Sequence, residues 1–581
     1  MRAIHTSQMS AGSSKLPPYV VIGTNASARF TLKAYRGEGM VLLAMNWRKG
    51  KPPKDFVGFA IEYRQPKAKK FYPVNNRLGF LADDGSTVGT LSSLLSPIQK
   101  FRWIHFPFDA DRPGEFTYRV TPVFMDKDDQ LTYGEQQEID IVLSSETYPG
   151  KLNVTFTRGF VASQAFVDRY GQDGSVSSLL PPTGTDQLKF KPTHPKAEEA
   201  LAWMGFETRR VIFSLLDEAI ADKTCEVSVI AYDLQDPEFV DRFKQLKGRL
   251  RIIIDDSSTH GATDSEESRS AKSIASIIGK KNVIRQHMSN LQHNKIIIVK
   301  GKKIQKVAFG STNMSWRGLY VQNNNTVVVQ GESTVNHFQD AFEAYWSDPG
   351  KFRASACAAW MDLDVPGVAC QITFSPHAEA NLALDDVAKD MLKGTSSVLY
   401  SLAFLPQSPG AVKTAVEKII AMRKVFLYGI SERPLTGITL QKPNGVVVTA
   451  SPEQLGKNVP EPFKPEPAGD SGIRMHHKFV VIDFNTPDAR VYFGSNNFSK
   501  AADSDSGENL VLIRDPRIAT SFAVEALRIF DHYSFRDKQD TSSATEPFAL
   551  RRPPKTKSEK PWWDRDYADA TRIRDRELFS S

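Results

Sequence analysis

Two short motifs with chemically active side chains each occur twice in this chain of 581 residues. A His-x-Lys triplet begins at His293 and again at His476. A Gly-Ser-x-Asn box follows 17 residues after the first histidine, at Gly310, and 18 residues after the second, at Gly494. A repeat of both residue types and spacing is poorly explained by chance, so the two copies are expected to build one site together.

Each His-x-Lys triplet runs into an apolar segment typical of a buried strand, Ile296 to Val299 in the first copy and Phe479 to Ile482 in the second. Along a β-strand, side chains two residues apart point the same way. Each triplet therefore directs an imidazole and an ammonium group toward one pocket. The middle residue faces elsewhere, which makes His477 the less suitable participant.

The Gly-Ser-x-Asn boxes add hydrogen-bond donors. Glycine lets the backbone approach closely, and the Ser hydroxyl and Asn amide, again two residues apart, can donate to phosphate oxygens. A phosphodiester resists attack mainly because it is anionic, so a catalyst needs cations, a positioned nucleophile and a proton for the leaving oxygen. The two copies supply all three, which predicts a two-lobed site that cleaves phosphodiesters.

These motifs resemble the signature of the phospholipase D superfamily, HxKxxxxD followed by GSxN, which occurs twice in its monomeric members. The second copy matches fully, with Asp483 five residues after Lys478, whereas the first copy has Lys300 in place of the Asp. An offset of five lies on the opposite strand face or in the closing turn. Asp483 is therefore expected to be structural, like Gly310 and Gly494.

A second carboxylate is present in only one copy. Counted from the box glycines, Glu508 occupies the position that Asn324 has in the first copy. In the superfamily this carboxylate tends to support the histidine of the other lobe, so the resemblance implies that Glu508 orients His293 and that His476 faces Asn324. A carboxylate bonded to an imidazole fixes its tautomer and favours its charged form. One histidine is thus expected to work without that help.

The resemblance also implies a mechanism. His293 would attack phosphorus to form a covalent phosphohistidine, and His476 would protonate the departing alcohol. In the second step His476 would take a proton from water, which gives hydrolysis, or from another alcohol, which gives transfer. The scheme requires no metal and no other cofactor. Six further side chains would hold the nonbridging oxygens or support the pocket: Lys295, Lys478, Asn313, Asn497, Ser311 and Ser495.

The sequence gives little support for a zinc site or for disulfide bonds. Zinc ligation by His476, His477 and Asp483 is disfavoured, because adjacent strand histidines face opposite ways and no further metal-spaced ligand joins them. An odd number of cysteines without metal spacing fits a reducing compartment and buried apolar positions better than a disulfide scaffold. The cysteines are Cys225, Cys357 and Cys370.

Composition sets broad limits. The net charge is +7, from 74 basic and 67 acidic residues, which permits anionic partners without identifying them. The chain has no signal-like apolar stretch near its start and no apolar run of the ~18 residues that a membrane span needs. We expect a cytoplasmic protein, or one secreted without a classical signal, with peripheral membrane contact at most. The cardiolipin synthase branch, whose members usually carry N-terminal membrane helices, is disfavoured.

The order of strands and helices predicts an α/β protein made of two fused phospholipase D-like lobes around a shared cleft, after a β-sandwich-like domain. Short strand-like runs dominate the beginning of the chain, and helices alternate with buried strands from about residue 195. The 183 residues between the motif histidines indicate domain duplication rather than a solenoid repeat. The expected units are a β-rich domain (1–155), a linker (156–194), lobe 1 (195–355), lobe 2 (356–538) and a polar C-terminal tail (539–581).

Two irregular segments each precede a His-x-Lys motif, Ser257 to Ser268, which contains His260, and Pro443 to Ser471. Such segments border the cleft mouth or are surface insertions. In the tail, Trp562 and Trp563 either pack onto the body, which is favoured, or touch lipid.

Substrate identity depends on the cleft walls. A lipid substrate needs an apolar mouth, to which residues 401–406 could contribute, although the same run also fits a buried strand. A nucleic acid needs basic and stacking groups, for which Trp316-Arg317 is the nearest candidate. Two lobes in one long chain resemble phospholipase D more than the short dimeric nucleases, so phospholipid is favoured. A metal-independent nuclease is the alternative, and a phosphate-binding protein with a degenerate first lobe is a third hypothesis. The oligomeric state stays open.

Overall fold

The computed structural model of the protein describes residues 16–81, 91–144, 146–159, 166, 169–171, 178–182, 186–433, 437–450, 475–540 and 548–580. Within these ranges, no helix has both the length and the apolar character needed to span a bilayer. The segment expected to be irregular from Pro443 to Ser471 falls outside the described residues from position 451 onward.

The N-terminal part is built from short strands that form two packed sheets. The strands are β1 (Val20–Ile22), β2 (Phe30–Arg36), β3 (Val41–Trp47), β4 (Phe56–Arg64), β5 (Tyr72–Pro73), β6 (Asn75–Asn76), β7 (Leu91–Ser92), β8 (Arg102–His105), β9 (Glu115–Met125), β10 (Leu131–Tyr133) and β11 (Gln137–Val142). One sheet has the order β1-β2-β3-β8, and the other has β10-β9-β4-β5 with β11 also paired to β9, while β6 and β7 pair with each other in a small separate sheet. Phe30, Phe59 and Phe116 are fully buried between them, as expected for a sandwich.

Lobe 1 is a mixed seven-stranded sheet covered by helices. Its strands are β12 (Leu152–Phe156), β13 (Glu226–Ala231), β14 (Leu250–Asp255), β15 (Val283–Gln286), β16 (Lys295–Lys300), β17 (Gln305–Gly310) and β18 (Asn325–Gln330), and its helices are α1 (Ala197–Ala221), α2 (Pro237–Leu246), α3 (Glu266–Ile278) and α4 (Glu332–Ser347). The strand order is β12-β18-β17-β16-β13-β14-β15. Helices α2 and α3 begin at side-chain caps, Asp236 and Ser265.

Lobe 2 repeats this arrangement within a nine-stranded sheet. Its strands are β19 (Met361–Val365), β20 (Val368–Ser375), β21 (Ser397–Leu402), β22 (Phe426–Arg433), β23 (Gly437–Gln441), β24 (Val447–Ala450), β25 (Lys478–Ile482), β26 (Arg490–Gly494) and β27 (Glu508–Arg514), and its helices are α5 (Ala383–Leu392), α6 (Ala411–Met422), α7 (Lys500–Ser504) and α8 (Pro516–Asp540). The order is β19-β20-β27-β26-β25-β21-β22-β23-β24. The run β27-β26-β25-β21-β22 has the order of β18-β17-β16-β13-β14, so the expected fold class is confirmed.

The two lobes meet along a seam that is nearly symmetric. The backbone N–H of His293 donates to the Gly507 carbonyl over 2.8 Å, and the N–H of His476 donates to the Asn323 carbonyl over 3.1 Å. Phe309 and Phe493, each one residue before a box glycine, stack at 5.9 Å between ring centroids. Each motif histidine is thereby held against the strand that follows the other lobe's Gly-Ser-x-Asn box.

One strand lies across an expected domain limit. Strand β12 ends at Phe156, across the limit drawn at residue 155, and it pairs with β18 of lobe 1, so in space it belongs to that lobe. The C-terminal tail packs onto the body, which is the favoured placement for its Trp pair: Trp563 is buried in the sandwich core, and helix α9 (Ala570–Ser580) buries Phe579. Burial of such large apolar side chains outweighs the polarity of their neighbours. The remaining domain limits stay predictions.

Most strands and helices lie close to their expected positions. For lobe 1, the sequence pattern predicts helices near 206–222 and 237–246 and a strand from Leu250 to Asp255. Helix α2 and strand β14 have these bounds, whereas α1 begins earlier, at Ala197. The segment Ser257 to Ser268 is less irregular than expected, because α3 already begins at Glu266. The Ser265 hydroxyl accepts from the Ser268 N–H and caps this helix.

Candidate active site

Both His-x-Lys triplets stand at the start of central strands, where the seam brings them together. Lys295 is the first residue of β16, and Lys478 is the first residue of β25. Each box glycine ends the neighbouring strand with a positive φ, +151° at Gly310 and +157° at Gly494. At both glycines a Cβ would collide with a backbone carbonyl on the adjacent strand, so only glycine permits this close approach.

A carboxylate from lobe 2 contacts the histidine of lobe 1. Glu508 Oε1 lies 2.8 Å from His293 Nδ1, and both side chains are buried. Burial holds the pKa of His293 well below its usual range, and Lys295 and Lys478 act in the same direction. Burial also raises the pKa of Glu508 to about 8, although both lysines oppose that shift. When Glu508 is ionised, Nδ1 of the neutral His293 ring donates to the carboxylate, and Nε2 carries no proton.

The histidine of lobe 2 meets an amide at the equivalent place. His476 Nδ1 lies 2.9 Å from Asn324 Oδ1, so the ring N–H donates to the amide oxygen. Asn324 is held in turn by the Ser311 hydroxyl, which donates to the same oxygen over 2.9 Å, and by the Gly318 carbonyl, which accepts from Nδ2. The amide fixes the tautomer of His476 but adds no negative charge beside it.

The two lysines bring positive charge to the space between the histidines. Burial lowers the pKa of Lys295 to about 8, while Glu508 and Asp233 act to raise it. Burial also lowers the pKa of Lys478, and the nearby Lys295 cation adds to that shift. Burial lowers the pKa of His476, and the charges of Lys478 and Lys295 lower it further. Groups from both lobes thus interact across one pocket, and a phosphate anion there would favour the charged forms of both lysines.

The serines and asparagines of the boxes differ in how much of their hydrogen-bonding capacity is already used. The Ser311 hydroxyl accepts from the Asn325 N–H, and the Ser495 hydroxyl accepts from the Asn509 N–H, each over 3.0 Å. Both serines are fully buried. By contrast, Oδ1 of Asn313 and Oδ1 of Asn497 are buried without a hydrogen-bond partner among the described residues. The serines brace the loops, while the two amides have capacity left for a ligand.

Asp483 and Lys300 hold equivalent positions in the two motifs but do different things. The buried Asp483 carboxylate accepts from the backbone N–H groups of Thr395, Ser396 and Ser397 and contacts Arg490 at 3.4 Å. It fastens the loop before β21. Lys300 is exposed at the end of β16 and donates to Asn336 of α4 over 2.9 Å. None of these hydrogen bonds involves a motif histidine or a motif lysine.

The middle residues of the triplets face away from the pocket. His477 Nε2 lies 2.9 Å from Glu525 of α8, and its Nδ1 faces Asn325 at 3.2 Å. Asn294 accepts from the Asn509 amide over 2.8 Å. The contacts of His477 with Asn325 and of Asn294 with Asn509 cross the seam between the lobes, whereas Glu525 belongs to lobe 2, as His477 does. Together they explain why buried polar residues stand at these positions.

Sequence reasoning missed a polar cluster beside His293. The Tyr232 ring lies between His293 and His260, with centroid distances of 4.5 Å and 4.6 Å. Asp233 Oδ1 lies 3.3 Å from His260 Nε2, and Asp255 Oδ2 lies 2.8 Å from His260 Nδ1. A signal was available, because Asp233 follows β13, which pairs with the motif strand β16, and an acidic residue is unusual at the end of so apolar a strand.

Asp233, His260 and Glu267 bring metal-type donor atoms within 4.8 Å of one another. Burial lowers the pKa of His260, but hydrogen bonds to Asp233 and Asp255 outweigh this and raise the pKa to about 10. The charge of the protonated imidazole offsets that of the carboxylates, so these side chains form an ion-pair group.

The expected substrate-contacting residues are largely buried. Trp316 is 4% exposed, and its indole N–H donates to the Gln187 carbonyl over 3.2 Å, so its ring is not free to stack on a base. Leu402, Ala403 and Leu405 are buried as well. Phe404 is half-buried, with its ring centroid 6.4 Å from that of His476, and it alone in this run flanks a motif histidine.

Comparisons with known proteins agree with this duplicated site. A family model described as "Cardiolipin synthase, PLD-like domain" matches residues 214–346 and 452–530. The first segment contains His293 and Asn313, and the second contains His476, Asn497 and Glu508. The match concerns the domain and does not distinguish one reaction from another. No curated protein matches the chain.

Several solved structures are similar at low identity. Phosphatidylserine synthase from Haemophilus influenzae Rd KW20 is 14% identical over 64% of this chain and 92% of that chain, with a TM-score of 0.37. Polyphosphate kinase from Porphyromonas gingivalis is 11% identical over 69% of this chain and 57% of that one, also with a TM-score of 0.37. The phospholipase D family member Nuc from Salmonella typhimurium is 24% identical over 24% of this chain and 86% of that chain, with a TM-score of 0.20. The family-model match to a segment of each lobe, together with the duplicated motifs, identifies both lobes as phospholipase D-like domains.

Proposed function

We propose that the protein cleaves phosphodiesters through a covalent phosphohistidine on His293, with phospholipids as substrates. The observation that carries the proposal is the contact of 2.8 Å between His293 Nδ1 and Glu508 of the other lobe. This contact holds the Nδ1 proton and leaves Nε2 free to attack phosphorus. It also stabilises the positive charge that the ring gains when the phosphorus–nitrogen bond forms.

The second histidine completes the reaction. The anionic diester favours the charged Lys295, Lys478 and His476, so His476 can hold the proton that the leaving alkoxide needs. The bond between phosphorus and the headgroup oxygen breaks, and the proton of His476 passes to that oxygen. His476 then takes a proton from water or an acceptor alcohol, whose oxygen attacks phosphorus and releases His293. Asn313 and Asn497 bind nonbridging oxygens in both steps.

The preference for lipid is supported by the walls beside the motif histidines. Phe404 and Tyr232 offer aromatic surface on the two sides, which suits a substrate with an apolar part. The nuclease alternative loses its main support because Trp316 is packed inside lobe 1. The binding-protein hypothesis is weakened because the first lobe keeps His293, Lys295 and the Asn313 amide.

The test is headgroup release from mixed phospholipid vesicles in excess EDTA, with single-stranded DNA as a competing substrate, for the wild type and His293→Ala. Release that survives EDTA and is lost in the variant supports the proposal. DNA cleavage with intact lipid assigns the protein to the nucleases instead. Binding of vesicles or phosphate without any product favours the binding-protein hypothesis.

A further inference from the structure

We propose that Asp233 and the Oδ1 atom of Asn313 form an acceptor site that selects phosphodiesters whose headgroup carries a primary ammonium group. The inference rests on the proposed function, because it names the headgroup class for the same pocket. Primary ammonium groups have N–H donors, whereas quaternary ammonium groups have the charge without the donors.

The first step is the position of Asp233. Its Oδ2 accepts from Nδ2 of Asn313 over 2.6 Å, which ties it to one of the two box amides. Its charge acts on Lys295 of lobe 1 and on Lys478 of lobe 2, so it lies over the shared pocket rather than behind one lobe. Its side chain keeps 20% of its surface exposed, in contrast to the other acids of the cluster.

The second step is unused acceptor capacity. Asn313 is 4% exposed, and its Oδ1 has no hydrogen-bond partner among the described residues. Oδ1 and Nδ2 belong to one planar amide, and Nδ2 donates to Asp233, so this unpaired acceptor stands next to the Asp233 carboxylate. A buried acceptor without a donor is costly. A ligand that brings N–H groups to this place satisfies both atoms at once.

The third step is the balance of charge in the cluster. His260 is surrounded by three carboxylates, Asp233 at 3.3 Å, Asp255 at 2.8 Å and Glu267 at 3.9 Å. Asp255 also accepts from the backbone N–H of Ser257 and of Gln292. His260 brings one positive charge to these three carboxylates, and the charge of Asp233 also acts on Lys295 and Lys478. Asp233 is the one of the three acids that reaches solvent. A cationic headgroup can therefore approach Asp233, and His260 is the residue that positions this carboxylate.

The fourth step is the difference between the lobes. Ala231 pairs with Lys295, and Leu402 pairs with Lys478, so Asp233 and Phe404 are equivalent, each two residues beyond the paired strand end. Lobe 1 presents an acceptor where lobe 2 presents an aromatic ring. The carboxylate also repels the neighbouring phosphates of a polynucleotide, which fits a substrate with a single diester.

The experiment is an internal competition. Vesicles contain equal amounts of ethanolamine and choline phospholipids with identical acyl chains, and the two free headgroups are quantified together. The wild type should release ethanolamine over choline by about tenfold or more, because a charge-assisted hydrogen bond is lost with choline. Asp233→Asn should bring the ratio near one. Asp256→Asn, which removes a nearby carboxylate that faces the exposed His287 at 2.8 Å, should leave the ratio unchanged.

Three results would overturn the inference. A wild-type ratio near one contradicts it without any variant, so a folding defect in Asp233→Asn cannot protect it. A folded Asp233→Asn or Asp233→Ala protein that keeps the wild-type ratio contradicts the role of Asp233. Absence of release from every headgroup contradicts the proposed function and the inference together, whereas release with an unchanged ratio contradicts the inference alone.

Discussion

Lobe 1 and lobe 2 share one strand order but support each other's histidine differently. Lobe 2 supplies the Glu508 carboxylate to His293, and lobe 1 supplies the Asn324 amide to His476. The backbone contacts along the seam are otherwise alike, with the N–H of each histidine bonded to the opposite lobe. One scaffold therefore holds both imidazoles in place, and a carboxyl-to-amide difference distinguishes their Nδ1 partners. In the proposed mechanism, this difference is the reason that His293 acts as the nucleophile and His476 moves protons.

The largest effect is expected from loss of the supported histidine. His293→Ala removes the nucleophile, so phosphodiester turnover should fall by about 10⁴-fold or more. His287→Ala serves as the matched control, because His287 is an exposed histidine of the same lobe. Headgroup release and thermal unfolding are measured for both. Retention of more than a tenth of the activity by His293→Ala would contradict the assignment.

The next effect comes from making the two lobes alike. Glu508→Gln gives both histidines an amide partner, and turnover should fall between about 10²-fold and about 10⁴-fold because the nucleophile loses its tautomer control and charge partner. Steady-state kinetics measure this effect. If Glu508→Gln keeps wild-type turnover, the carboxylate has no part in the difference between the lobes.

The same variant carries a pH signature. Burial raises the pKa of Glu508 from an ordinary 4.5 to about 8. A raised folded-state pKa gives stability that is present below pH 4.5 and is lost as the pH rises through about 8. Glu508→Gln does not lose this stability as the pH rises. The free energy of unfolding of the variant should therefore increase relative to that of the wild type between pH 4.5 and about pH 8. Chemical denaturation at pH 5 and pH 8 measures the change, and an opposite trend would refute it.

A smaller effect separates the two motif positions that differ between the lobes. Asp483→Ala removes the acceptor of three backbone N–H groups and should lower the free energy of unfolding by about 2–4 kcal/mol. Lys300→Asp restores the motif residue in lobe 1 at an exposed site, so the change should stay below about 0.5 kcal/mol. Turnover of Lys300→Asp should equal that of the wild type. Faster turnover in that variant would show that Lys300 impairs lobe 1.

A shift of the pH–rate profile, rather than a large loss of turnover, is expected from a carboxylate in the other lobe. Asn324→Asp places a negative charge at Nδ1 of His476 and should raise the pKa of that imidazole. The alkaline limb of the pH–rate profile should move to higher pH, with maximal turnover changed by less than about tenfold. A profile identical to the wild type would mean that His476 does not limit the alkaline limb.

Much of this organisation could be predicted from the sequence. The repeat of His-x-Lys and Gly-Ser-x-Asn defined the lobes, and equal offsets from the box glycines placed Glu508 and Asn324 in matching positions. Such features depend on local periodicity and spacing, which can be recognised in the sequence alone. The contacts of these two residues with His293 and His476 are present in the structure, whereas their roles in catalysis stay predictions.

Other features depend on contacts that spacing does not reveal. Asp233 comes to the pocket because β13 pairs with β16, a pairing between distant segments. The sequence suggested Trp316 as a stacking residue, but in the structure it packs against Phe190 and Tyr320 in a core. The Trp562 and Trp563 pair was expected to pack on the body, and their indole N–H groups do bond to carbonyls of the sandwich. Because the C-terminal segment is rich in charged residues, the sequence did not indicate that helix α9 also packs onto the body.

The most direct test of the division between the lobes is a single-turnover measurement on His476→Ala. The substrate is a phosphodiester with a p-nitrophenol leaving group, which needs no acid because the phenolate leaves readily. We predict a burst of one equivalent of p-nitrophenol followed by stalled turnover, with the phosphoryl adduct on His293 after an alkaline quench and peptide mass spectrometry. His293→Ala should give neither burst nor adduct. An adduct on a residue of lobe 2, or a burst without any adduct, would contradict the assignment of His293 as the nucleophile.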